Sequence, residues 1–335
     1  MGLLACCCCA GLWAAEPVAA EPPAPVAAPA PVPAISTLVQ EFAKQQGFTP
    51  TTVGTGPFRA LQFGVADHPD LQKHVDLGCE ALARLERWTG NPRYFIPETP
   101  DAASACWMVL IKDDGVFNAW VDFGRTAGAI KPAENSGDLA KTLKGFAMPG
   151  AMISTTDRLK NIGANFAVYS AACVALDRLA TSHGRRRLPA WLREGLAAEL
   201  QRELAGSPRC TTISYQANDS KEATTDNWMA DVKTILRERN PGGRALTADQ
   251  VLTSTTDLIS PSTYRQMWSL CTFLRVISDI SAKPKTTTKF WAVMQATAEG
   301  TDSMEAISKI YGITPANLDV AWNKWANAGI APAIK

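Results

Sequence analysis

Histidine is the scarcest potentially catalytic residue type in this chain of 335 residues, which contains only three. They are His68, His74 and His183, and the first two are six residues apart, so they do not share one face of a helix. Histidine is the most frequent general base and a principal zinc ligand. This scarcity limits the chemistry that the protein can perform more than any other feature of its composition.

Two nucleophilic side chains, Ser170 and Cys173, lie three residues apart in an apolar segment. On a helix they would point in similar directions. Neither has a histidine close by in sequence, and no Gly-x-Ser-x-Gly elbow surrounds the serine. A reactive thiol would also require a neighbouring cation. We therefore predict that both are packing residues on a buried helix.

The most informative segment follows shortly after and reads LPAWLREGLA from Leu188 to Ala197. It resembles a motif of the gluzincin metallopeptidases, the peptidase MA clan. In that clan one helix carries His-Glu-x-x-His, and the glutamate of Trp-Leu-x-Glu-Gly-Leu-Ala on the next helix is the third zinc ligand. Two histidines at i and i+4 bind one zinc ion, and the glutamate between them polarises its water. The resemblance implies that Glu194 holds the third-ligand position.

The other positions of the zinc motif are lost. When the segments are aligned on the Ala-Leu pair at 175–176, the two histidine positions fall at Ser170 and Val174, and the catalytic glutamate position falls at Ala171. A shift of one residue does not restore the motif. The resemblance with these losses implies a metallopeptidase fold without catalysis, metal or other cofactor, in a binding or structural role.

Two alternatives to this interpretation stay open. The chain could be an active hydrolase, either metal-free or with zinc held by Glu194 and non-standard ligands drawn from His68, His74 and His183. Glu194 itself could instead pair with one of the arginines at 185–187, or bind backbone donors at the start of its helix.

The resemblance covers about residues 60 to 328. Tyr264 and Trp268 match the clan's Tyr-x-x-x-Trp helix behind the active site, and the segment from Cys106 to Ile111 resembles a strand of its small sheet. Four tryptophans could line a cleft for peptide or sugar, although packing between helices is the favoured role. They are Trp191, Trp268, Trp322 and Trp325.

The pattern of apolar residues predicts an α+β fold, and the resemblance implies that it is of the gluzincin or thermolysin-like type. Residues 36–160 form a small mixed sheet with helices, and residues 161–330 form an all-helical subdomain that carries the degenerate metal-site helices. Ser262 and Thr314 are predicted to cap helices. Strands are predicted at 60–65, 105–111 and 145–154. Helices are predicted at 36–46, 67–89, 116–123, 165–181, 190–204, 226–238, 247–252, 262–280, 289–299, 303–311 and 314–328.

The N-terminal region has the composition of an export signal. Residues 1–15 are apolar and read as a signal peptide or its remnant, and residues 16–35 form an Ala/Pro-rich linker. The sequence around Cys6 resembles a lipobox, so a lipid anchor is an alternative. We expect an exported, periplasmic, cell-envelope or extracellular protein that meets the membrane only through that signal or anchor. A net charge of +1 argues against nucleic acid as a partner.

Five cysteines follow the linker, an odd number without a C-x-x-C pair, so no zinc ribbon or redox motif is indicated. One or two disulfides could form among them in an oxidising compartment. These cysteines are Cys79, Cys106, Cys173, Cys210 and Cys271.

Overall fold

The structure is a computed structural model. It describes residues 35–63, 70–90, 94–98, 101, 104–128, 145–148, 150–156, 162–185, 187–210, 228–237, 245–255, 260–281 and 288–328. The predicted signal segment, Cys6 of the predicted lipobox, His68 and all but the last residue of the predicted linker lie outside these ranges.

A five-stranded mixed sheet forms the β part of the α+β fold, with strand order β1-β2-β3-β5-β4. The central strands β2, β3 and β5 are parallel, and the two edge strands β1 and β4 pair antiparallel to their neighbours. The strands are β1 (Thr51–Val53), β2 (Phe58–Phe63), β3 (Cys106–Ile111), β4 (Gly145–Met148) and β5 (Ala151–Thr155). The three predicted strand regions are confirmed, whereas β1 was not predicted because it is short and carries no apolar alternation.

Helices cover both faces of the sheet. The N-terminal helices of the described chain are α1 (Ile35–Gln46), α2 (Leu71–Thr89) and α3 (Asp114–Thr126). Alternate residues of each central strand point to opposite faces. One face packs with α1 and α3 in a core of its own. The other face packs with α2 and the C-terminal helices in the larger core, so the predicted boundary near residue 160 does not separate two cores.

In the described part of the C-terminal half, all the secondary-structure elements are helices, as the sequence predicts. Its helices are α4 (Gly163–Ser182), α5 (Ala190–Ala205), α6 (Trp228–Arg237), α7 (Ala248–Thr253), α8 (Pro261–Ser281), α9 (Lys289–Glu299), α10 (Ser303–Tyr311) and α11 (Pro315–Ala328). Within the described chain, no helix is both long enough and apolar enough to cross a membrane.

The helix caps show where local sequence signals were sufficient. Gly90 ends α2 in the left-handed conformation, and Thr314 accepts a hydrogen bond from the Asn317 N–H at 3.3 Å, both as expected. The prediction of Ser262 as the cap of α8 is wrong. Ser260 accepts the hydrogen bond from the Thr263 N–H at 3.2 Å, because Pro261 takes the first helical position.

Helices α4 and α5 lie almost wholly inside the protein. Fifteen residues of α4 and twelve of α5 are buried, including the charged Arg193, Glu194 and Glu199. Ionised side chains are rarely buried without a partner. The polar residues of these two helices therefore have to find their partners on neighbouring elements, and those partners define the candidate site.

Close packing of α5 on α8 depends on Gly195. A methyl group there would lie 2.6 Å from the Cys271 Cβ and 2.9 Å from the Met267 carbonyl oxygen. We expect Gly195→Ala to destabilise the protein by about 1–3 kcal/mol in urea unfolding, because the overlap outweighs the better helix propensity of alanine. Gly115→Ala is the control, since its methyl group would meet only Asp113 Oδ1, at 3.3 Å. Equal stability of the two variants would contradict this account.

Candidate functional site

The site centres on Glu194, whose side chain is completely buried where α5 faces α4. The hydroxyl group of Tyr169 on α4 donates to both carboxylate oxygens, at 3.2 Å to Oε1 and 3.1 Å to Oε2. Burial raises the pKa of Tyr169 well above its ordinary value. The tyrosine is therefore a neutral hydrogen-bond donor at physiological pH.

The guanidinium of Arg193 completes a charged network between the two helices. Its Nη1 donates to Glu194 Oε1 at 2.6 Å. Its Nε and Nη2 donate to the two carboxylate oxygens of Asp177 on α4, at 2.9 and 3.2 Å. The Arg193 side chain is 3% exposed and that of Asp177 is 21% exposed. We call Tyr169, Asp177, Arg193 and Glu194 the Arg193 network.

The described arginine that pairs with Glu194 is its neighbour in sequence, Arg193, whereas the alternative drawn from the sequence named the arginines at 185–187. Adjacent residues on a helix point about 100° apart, so such pairs do not normally meet. The long side chain of Arg193 bends back to reach Glu194. Among the arginines at 185–187, Arg186 lies outside the described residues.

The three residues predicted to occupy the lost motif positions are all buried on α4. They are Ser170, Ala171 and Val174. The side chain that contacts Glu194 comes instead from Tyr169, one residue earlier, which turns the helix face by about 100°. Cys173 and Asp177 follow Tyr169 at intervals of four residues and therefore lie close to the same face. Within the described chain, the Ser170 hydroxyl makes no hydrogen bond.

Neither candidate nucleophile is activated. Burial raises the pKa of the Cys173 thiol far above its ordinary value, and the nearby Arg193 offsets only part of that rise. The thiol therefore stays protonated at neutral pH. Ser170 has no hydrogen-bonded base among the described residues. These observations favour the packing role that the sequence predicts for both.

The two described histidines lie at opposite ends of α4. The His74 ring packs against Gly163, where a methyl group would come within 2.3 Å of it, and His183 follows the last turn. At 1.5 Å per residue, these ends lie ~9 and ~21 Å from Tyr169 along the helix axis. Within the described chain, no three histidine, cysteine, aspartate or glutamate side chains come together in a way that could hold a metal ion.

The tryptophans predicted to pack between helices do so. Trp191, Trp268 and Trp322 are fully buried, and each indole N–H has an acceptor. Trp191 donates to Ser303 Oγ at 2.9 Å, and Trp322 donates to Ser269 Oγ at 3.0 Å. The ring centroid of Trp325 lies 5.5 Å from that of Phe273. All five cysteines from Cys79 onward carry free thiols.

A second buried charge cluster, which the sequence did not reveal, joins α5 to α2 and α8. Glu199 accepts from Arg202 at 2.9 Å, from Arg275 at 3.0 Å and from Trp268 Nε1 at 2.6 Å. Arg275 also lies over the Trp88 ring at 4.2 Å. The partners come from residues up to 76 positions away, so no local pattern could have indicated this cluster.

The Glu199 cluster predicts a loss of stability in acid. Burial alone would raise the pKa of Glu199, but the two arginines and Trp268 outweigh it and lower the pKa. A lowered folded-state pKa gives stability that is present above the unfolded pKa and is lost as pH falls towards the folded value. We expect the free energy of unfolding to fall between about pH 6 and 3 in wild type, and less steeply in Glu199→Gln. Parallel pH profiles in urea unfolding would contradict this.

No protein-family model matches the chain, and a search of curated protein sequences found no significant match. The Arg193 network and the sequence motif around Glu194 are therefore the features that bear on function.

Proposed function

We propose that this protein is an exported, catalytically inactive relative of the gluzincin metallopeptidases, with a binding or structural role in the cell envelope. The observation that carries the proposal is the environment of Glu194. The glutamate occupies the third-ligand position of the Trp-Leu-x-Glu-Gly-Leu-Ala motif, and it is held by the hydroxyl of Tyr169 and the guanidinium of Arg193.

These residues do not fit a catalytic zinc ion. Such an ion requires about three protein ligands and an open position for water. The α4 face opposite Glu194 offers a neutral phenol and a protonated thiol, and a fixed positive charge lies 2.6 Å from the carboxylate. The i and i+4 positions on this face are Tyr169 and Cys173. We propose that these two, and not Ser170 and Val174, correspond to the two histidine positions of the clan.

The packing of the surrounding helices supports the relationship. Helix α8, which carries Tyr264 and Trp268, packs directly behind α5 at Gly195. This is the place that the resemblance implies for the Tyr-x-x-x-Trp helix. Along the chain, the parallel strands come first, then α4 and then α5. This is the order that the resemblance implies.

The alternative of an active hydrolase gains little support from the described residues. His74 and His183 lie at the two ends of α4, and the side chain of Glu194 is closed to solvent. A substrate carbonyl could not reach the carboxylate in this conformation. Any polypeptide partner would have to bind elsewhere on the surface and would not contact the Glu194 carboxylate.

A peptidase assay tests the proposal. Purified wild-type protein and Glu194→Ala are incubated with unfolded casein, with and without added zinc, and the release of new amino termini is measured. We expect no turnover above the buffer blank in either protein. Hydrolysis by wild type that zinc restores after chelation, and that Glu194→Ala lacks, would overturn the proposal.

A further inference from the structure

We infer that the guanidinium of Arg193 takes the place of the metal ion, and that this internal cation holds α4 against α5. The inference rests on the proposed function, because it assigns Glu194 to the third-ligand position. Beyond that function, it names Arg193 as the residue whose charge replaces the metal ion.

The contacts of Arg193 are those expected of a central cation. Its guanidinium has contacts with three side chains from two helices: two hydrogen bonds to Asp177, one to Glu194, and a longer contact of 3.5 Å to the Tyr169 oxygen. The Tyr169 hydroxyl can receive that contact while its own hydrogen goes to Glu194, because a hydroxyl both donates and accepts. One cation thus lies between two carboxylates.

A guanidinium suits this donor set better than a metal ion does. It has five N–H donors in a rigid plane. It binds carboxylates, and it also binds neutral hydroxyls, which do not have to lose a proton. Zinc, in contrast, binds thiolate and would require Cys173 to ionise. The buried thiol and phenol are therefore compatible with Arg193 and unfavourable for zinc.

The charges around the guanidinium also explain why it must remain. Glu194 is fully buried beside it, and removal of one member of a buried ion pair is strongly destabilising. Arg193→Ala removes the charge and leaves a space shaped for a planar cation, with the two carboxylates still in place. Free guanidinium ion should then bind in that space.

The experiment is chemical rescue of Arg193→Ala by guanidinium chloride at about 20 mM, far below denaturing concentrations. Thermal unfolding is compared with equal concentrations of sodium chloride and of urea. If the space binds guanidinium with a Kd of about 1 mM, the ratio of folded to unfolded protein rises about twentyfold. For a domain of this size, we expect the Tm to rise by about 3–6 °C. Wild type should show no rise.

Two further variants keep the test decisive. Arg193→Ala combined with Glu194→Gln removes the buried carboxylate, so the rescue should fall at least fivefold. If Arg193→Ala does not fold, its refolding yield with guanidinium or sodium chloride replaces the Tm. Absence of any guanidinium-specific gain overturns the inference and leaves the proposed function standing. Zinc-dependent peptidase activity of wild type overturns the proposed function itself.

Discussion

Tyr169→His, Ser170→Glu and Cys173→His, combined with Arg193→Ala, should give a chain that binds one zinc ion. The two new imidazoles would lie at i and i+4 on the α4 face that meets Glu194, and Arg193→Ala removes the cation that is hydrogen-bonded to the carboxylate. A His-His-Glu set is a known three-ligand zinc site. We expect zinc affinity at least a hundredfold tighter than in wild type, measured by titration against a chromogenic chelator.

The matched control carries the same substitutions one residue later. Ser170→His, Ala171→Glu and Val174→His, again with Arg193→Ala, follow the register that the sequence alignment predicts. The helix turns by about 100° per residue, so these imidazoles would point away from Glu194. We expect no tight zinc binding in the control. Tight binding by the control and not by the first variant would assign the metal positions to the alignment register.

Glu194→Ala should destabilise the protein strongly even though we expect no activity to be lost. The substitution leaves the guanidinium of Arg193, which is 3% exposed, with only the partly exposed Asp177 as a charged partner. Removal of one partner from a buried ion pair typically costs about 3–5 kcal/mol. Urea unfolding followed by tryptophan fluorescence measures this loss. A loss below about 1 kcal/mol would show that Arg193 does not depend on Glu194.

Replacement of the whole pair should cost less than the loss of the carboxylate alone. In Arg193→Met with Glu194→Leu, neither charge of the Arg193–Glu194 pair is left without the other, and apolar side chains of similar volume fill the space. If the double variant proved less stable than Glu194→Ala, the ion pair would be contributing a net stabilisation, contrary to this expectation.

Tyr169→Phe, which removes one hydrogen-bond donor to a charged acceptor, should cost about 1.5–3 kcal/mol of the free energy of unfolding.

Local patterns were sufficient for much of the fold. The apolar content of α4 predicted a buried helix, and Gly90 and the Thr314-Pro315 pair marked helix boundaries within a residue or two. The α+β arrangement followed from strands in the first half and helices in the second. Ser260 was missed as the cap because α8 begins at Pro261, whereas the prediction began the helix at Ser262.

The rotation of α4 about its own axis was beyond the sequence. The helix carries small and apolar side chains on all of its faces. No amphipathic stripe therefore shows which face meets α5. An alignment that depends on the Ala-Leu pair at 175–176 can therefore be wrong by one residue without any visible sign. The contact between Tyr169 and Glu194 supplies the missing information.

The partner of Glu194 was hidden for a different reason. Helix geometry argues against pairs at i and i+1, so Arg193 was an unpromising candidate. Its guanidinium also binds Asp177 on α4, which is 16 residues away in sequence. Long-range contacts of this kind are set by tertiary packing and leave no periodic trace in the sequence.

The most direct test of the central claim is the metal content of wild-type protein, purified without chelators and dialysed against buffer with a small excess of zinc. Elemental analysis should find far less than one zinc per chain, with no difference between wild type and Glu194→Ala. One tightly held zinc per wild-type chain, absent from Glu194→Ala, would show that the carboxylate still binds a metal and would contradict the assignment of Arg193 as its cation.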